Sequence, residues 1–207
     1  MSRPRKVSDT QLFAATHAVM GRVGPRELTL RAIAEAAGVT AAVLVQRFGS
    51  KRALLLAIFR KAAEGSGEFM AELAKKHRSP LAALRAYADC MAEMAASPAA
   101  LARNLAYLQI DLADPDFRRY LVKQARATRA GLTRLVAAAA RAKELSSNVS
   151  PSRLARTLEA VLSGSMLCWG FYRQGTAARW MRTDLDAVLK PYLARSGPGA
   201  GKNEEKN

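Results

Sequence analysis

The 207 residues carry 33 Lys and Arg against 17 Asp and Glu, a formal net charge of +16. Hydrophobic residues make up 50% of the chain, which excludes a disordered basic tail and supplies enough apolar surface for a core in one or two domains. The expected partners of a basic globular protein are anionic, nucleic acid first among them, and no run reaches the roughly 18 apolar residues that a membrane span requires.

In chain order, residues 2–6 form a short basic arm with no apolar stretch behind it, so no secretory signal is expected. A first helix is predicted over 8–21. It opens on a Ser8/Gln11 capping box and carries Leu12, Phe13, Thr16, Val19 and Met20 on one face. Thr29, Thr40 and Ser50 are further N-caps, predicting helices over 29–37 and 40–48 and another from Lys51. Gly38 supplies the positive φ of a tight helix exit. Leu28 can staple to Ile33 across Thr29, and Val39 to Leu44 across Thr40. Two short stapled helices about a glycine turn describe a helix-turn-helix. Leu44 and Phe48 then face inward, leaving Ala41, Ala42, Val43, Val45 and Gln46 outward. Lys51 and Arg52 fall in a first helical turn, where free N–H groups and two cations make either a phosphate site or a solvated pair.

The helix from Lys51 runs through Leu54, Leu55, Ile58 and Phe59, and Gly65 with Gly67 permits a kink or short break in it, either a hinge between domains or a tolerated irregularity or loop ending one helix before another. Ser79-Pro80, Ser97-Pro98, Asp114-Pro115 and Ser150-Pro151 each place a cap before a proline at the first helical position. The segment 115–144 is two-sided. Phe117, Leu121, Ala125, Thr128, Leu132, Leu135 and Ala139 share one face, and seven cations from Arg118 to Arg141 the other, a solvated face or one for an anionic partner. Thr183 or Asp184 is expected to open the last helix, kinked by Pro191, and 196–207 reads as a flexible tail. The fold class is all-α, with about nine helices.

Three groups of residues carry functional expectations beyond the first domain. Leu158, Val161 and Leu162, with Leu185, Val188 and Leu189, form either a four-helix dimer interface or plain core. Met91, Met94, Tyr107, Leu108, Met166, Cys168, Trp169 and Tyr172 suit the lining of an apolar ligand pocket and equally suit a core. Asp111, in an apolar stretch, can pair with Arg103, meet a polar ligand group or lie in water at a helix end. No metal-ligand cluster, phosphate loop or nucleophile motif is present, so neither enzyme activity nor a cofactor is expected. Cys90 and Cys168, far apart, point to a reducing, cytoplasmic compartment.

The run from Leu28 to Thr40, then Leu44, Phe48, Ser50-Lys51 and Leu54-Leu55, resembles the DNA-binding domain of TetR-family transcriptional regulators. The resemblance implies a DNA-binding domain at 8–61 and a helical ligand-binding and dimerisation domain at 62–195. It further implies a homodimer on a palindromic double-stranded operator, most often a repressor, released by a small-molecule effector that this lining would make largely apolar. Thr29, Thr40 and Lys51 match the family's phosphate contacts, and Arg31 a position that reaches a base edge. Val43 and Val45 depart from the pattern, which has hydroxyl residues there, and Gln46 replaces a common His and can pair with adenine. The alternative is a helical small-molecule- or partner-binding protein whose DNA binding has decayed.

Overall fold

The computed structural model describes residues 7–194; the basic arm and the tail at 196–207 lie outside the described residues. Nine α-helices fill the described part: α1 (Asp9–Met20), α2 (Leu30–Ala37), α3 (Ala41–Phe48), α4 (Lys51–Lys76), α5 (Pro80–Ala92), α6 (Pro98–Ala113), α7 (Pro115–Arg141), α8 (Pro151–Tyr172) and α9 (Ala177–Leu189). Single 3-10 turns follow α5 and α9, at Glu93–Ala95 and Lys190–Tyr192. No strand occurs among the described residues, and none of their helices is long and apolar enough to cross a membrane.

Most helix starts follow from local chemistry. Ser8 and Gln11 form the full capping box, and the hydroxyls of Thr29, Ser50, Ser79 and Ser97 each accept from the backbone N–H three residues on. Asp114 caps α7 by accepting from the Asp116 N–H. Each satisfies a donor that the helix leaves orphaned, worth about 1 kcal/mol. Thr40 and Ser150 hold the N-cap position without a side-chain hydrogen bond.

The last helix differs from expectation. It begins at Ala177 under a Thr176 cap, which places Thr183 and Asp184 in mid-helix. Arg173 and Gly175 both take positive φ and close the connection from α8 in a few residues. Ala177, Met181, Leu185 and Leu189 then make one buried stripe at four-residue spacing. Pro191 ends that helix in a 3-10 turn rather than kinking it. The break that Gly65 and Gly67 permit is also absent: α4 is continuous across both, and a Cβ at either would meet nothing within 4 Å. Packing instead requires glycine at Gly131 on α7, where a Cβ would lie 2.6 Å from Met70 Cγ on α4, and a Cβ at Gly170 on α8 would lie 2.5 Å from Leu101 Cδ2 on α6.

Two cores result. One gathers Leu12, Leu28, Ile33, Leu44, Leu54 and Ile58 from α1 to α4, and the other joins the far half of α4 to α5, α7, α8 and α9. Helix α4 belongs to both. So does α6 in a different way, because its Tyr107 is buried in the first core.

Candidate nucleic-acid interface

Helix α2 ends at Gly38, whose φ of 67° lets Val39 N–H donate to Ala34 O and Gly38 N–H to Glu35 O. That turn delivers Leu44 into the core, while Phe48 packs near Phe13 with ring centroids 6.1 Å apart. The outward surface of α3 is then Ala42, Val43, Val45 and Gln46, all exposed, with Ala41 half-buried at its start. Thr40 is exposed and its hydroxyl is not spent on capping, whereas the Thr29 hydroxyl already accepts from Ala32 N–H at 3.1 Å. Arg31 forms a solvent-exposed pair with Glu35, Nε to Oε1 3.0 Å, weak enough to exchange for another acceptor.

The two cations opening α4 part company. Lys51 Nζ donates to Leu28 O at 2.7 Å and tethers α4 to the entry of α2. Arg52 instead reaches Asp114 and Asp116 at 2.8 Å and lies over the Phe117 ring, 5.7 Å from its centroid. The paired phosphate cradle is thereby corrected: Arg52 ties α4 to the start of α7, across a separation in sequence that no local pattern reveals. Arg47 is also engaged, with Val7 O and Asp9. Two exposed cations that sequence reasoning passed over, Arg22 and Arg26, lie on the loop leading to Thr29.

The structure also holds a cavity of about 310 Å³. Its walls come from α1 (His17, Met20), α4 (Ile58, Phe59), α6, α7 (Leu121, Gln124) and α8 (Met166). Of the expected lining, Met94, Tyr107, Leu108, Asp111 and Met166 are present. The others are not. Met91 packs partly buried against the second core, and Trp169 is core, its Nε1–H donating to Gly175 O at 3.3 Å to close the turn after α8. Cys168 is exposed, and Tyr172 is exposed and stacked on Trp180. The contributions of α1 and α4 had no signature in the sequence, because each of those helices shows only an ordinary amphipathic face.

Asp111, 7% exposed, is the one carboxylate in this wall, and Arg103 is not its partner. Burial, and then the neighbouring charge of Asp114, push its pKa up to about 6 from 3.8. The folded state therefore keeps the proton longer than the unfolded chain. This contribution to stability is full below about pH 3.8 and lost as pH rises through about 6. Asp111→Asn should raise stability at pH 7 by about 1–2 kcal/mol, discounted for partial solvation, and flatten the profile below it. Urea denaturation at pH 4.5 and 7 measures both; a destabilised variant at pH 7 contradicts the assignment.

The residues expected at a dimer interface divide. Leu158, Leu162, Leu185 and Leu189 are buried in the chain's own second core, leaving only Val161 and Val188 half-exposed. Helix α8 turns a different stripe outward: Thr157, Ala160, Gly164, Leu167 and Phe171, three and four residues apart. Phe171 is 78% exposed and Gly164 faces open space.

The profile of bacterial regulatory proteins of the tetR family matches residues 12–58, the span from α1 into α4. A search of the curated proteins finds no match. Among solved structures, a TetR transcription regulator from Haloarcula marismortui is 16% identical with a TM-score of 0.70, over 89% of this chain and 97% of that one. The reduced form of E. coli NemR is 17% identical with a TM-score of 0.71, over 91% and 99%. FadR of Thermus thermophilus, in complex with lauroyl-CoA, is 22% identical with a TM-score of 0.56, over 94% and 100%. At these identities the likeness of structure shows the fold, which is shared along nearly the whole chain.

Proposed function

From a tetR-family DNA-binding regulator as premise, we propose that this protein is a ligand-responsive repressor. It binds a palindromic operator as a homodimer, and a small molecule in the cavity releases it. The observation that carries this reading is the cavity wall: α1 and α4 of the helix-turn-helix domain and α6 to α8 of the second domain all contribute to it. A ligand there touches both domains, and Tyr107 Oη donates to Val23 O at 3.1 Å, joining α6 to the loop before α2. Release follows to the extent that the ligand binds one arrangement of the recognition helices more tightly than the other. A gel shift on DNA flanking the protein's own gene, with excess competitor, tests the reading. Absence of any selective shift at moderate salt favours a helical binding protein without operator function.

Base readout falls in this reading to Arg31 and Gln46, with Ala42, Val43 and Val45 against thymine methyls, and backbone contact to Thr29, Thr40 and Lys51. Lys51 has carbonyl partners and no carboxylate among the described residues, so its charge remains for phosphate to neutralise. Lys51→Ala should weaken binding to every sequence and lower the salt slope by about one unit. Arg52→Ala, which removes a cation already matched by two carboxylates, should leave the slope unchanged. Equal slopes for Lys51→Ala and wild type would remove Lys51 from the interface.

The dimer forms, in this reading, through the outward stripe of α8 with Val161 and Val188 at its margin. Small residues at Ala160 and Gly164 allow close helix approach, and Leu167 and Phe171 supply apolar area. Leu167→Glu should keep helix content and shift the mass in light scattering to monomer, with operator affinity falling because two half-sites are no longer held about 34 Å apart. A dimer that survives Leu167→Glu places the interface elsewhere.

A further inference from the structure

We propose that the cavity takes a lipophilic organic cation, an amine or quaternary ammonium, with the Asp111 carboxylate as its counter-ion; this rests on the reading of the cavity as the effector site. The wall is apolar apart from a few groups, and Asp111 is the residue that breaks its neutrality. Its two acidic neighbours, Asp114 and Asp116, are already matched by Arg52, while Asp111 has no ion pair among the described residues. A buried carboxylate without a counter-charge is costly, and a ligand that brings the charge relieves that cost.

Three further features favour a cation. Asp111 lies in the last turn of α6, where the negative end of the helix dipole adds to the carboxylate. Phe59 and Tyr107 bring aromatic rings to the same wall, suited to an ammonium group. The one basic group there, His17, has its pKa lowered by burial, which disfavours its charged form and makes it a poor partner for an anionic ligand. The exposed cations of α7, Arg118, Arg119, Lys123 and Arg126, are not part of the wall. The volume of about 310 Å³ is at the lower end of small-molecule sites, which suits one compact hydrophobic body with a single charged head.

Calorimetric titration of the full chain, without DNA, with decyltrimethylammonium, decanol and decanoate decides the matter. The cation should bind about tenfold or more tighter than decanol, and decanoate weakest of the three. Asp111→Asn should abolish the preference while leaving decanol affinity within about twofold, and Asp111→Glu, which keeps the charge, should retain it. The ranking in the wild-type protein stands by itself if the asparagine variant folds poorly. Decanoate binding as tightly as the cation, an unchanged preference in a folded Asp111→Asn, or no binding of any probe overturns the proposal. A cation that binds as expected yet leaves a gel shift unaltered counts against the regulatory reading and not against the ligand class.

Discussion

Truncation of Tyr107 to alanine is expected to cost about 3–5 kcal/mol, a loss on the scale of emptying the middle of a core although the residue sits where two domains join. The side chain leaves α6, in the second domain, and is 8% exposed within the core of the first, among Leu12, Leu28, Ile33 and Ile58. Its loss removes a large buried aromatic surface at the place where α6 enters the helix-turn-helix domain. Tyr107→Phe separates the two components of the effect. It keeps the ring and removes only the hydrogen bond to Val23 O, at a cost of about 1 kcal/mol. Urea unfolding of both variants measures the difference. An alanine variant within about 1 kcal/mol of wild type would show that the first core closes without α6. The phenylalanine variant adds a functional reading: with fold and cavity intact, ligand-induced release should weaken while ligand affinity changes only a few-fold, because the link from α6 to the loop before α2 is cut.

The second large effect is on DNA. Val45→Glu should lower operator affinity by about 100-fold or more, since a carboxylate set against a polyanion costs several kcal/mol. The fold has no reason to suffer. Val45 is 48% exposed on α3, and Glu is the better helix former of the two. Thermal melting should therefore agree with wild type to within about 0.5 kcal/mol. Fluorescence anisotropy on an operator fragment gives the affinity. If Val45→Glu binds the operator as wild type does, α3 is not the surface that meets DNA, and the reading of a protein with decayed DNA binding gains ground. Val43, 38% exposed on the same helix, provides a repeat of the test.

What the amino-acid sequence determined by itself was the helical content, most helix starts and the helix-turn-helix. These rest on interactions that close within three to five residues: Ser8 with Gln11, Thr29 with the Ala32 N–H, the Gly38 turn, and prolines at the first helical position. Such bonds impose their spacing on the chain, so the spacing can be read back. An amphipathic face carries less information. It says that Leu158 and Leu185 are covered but not by what, and packing assigns them to the chain's own core, leaving the stripe from Thr157 to Phe171 outward. The pocket divides in the same manner: Trp169 and Tyr107 are alike as apolar aromatic residues on helices, yet one closes a turn and the other joins two domains. Arg52 meets Asp114 and Asp116 across 62 and 64 residues, and His17 of α1 reaches a cavity built mostly from the other domain. Contacts of that range depend on how helices cross in space, and local spacing carries no trace of them, because many crossings satisfy the same local bonds.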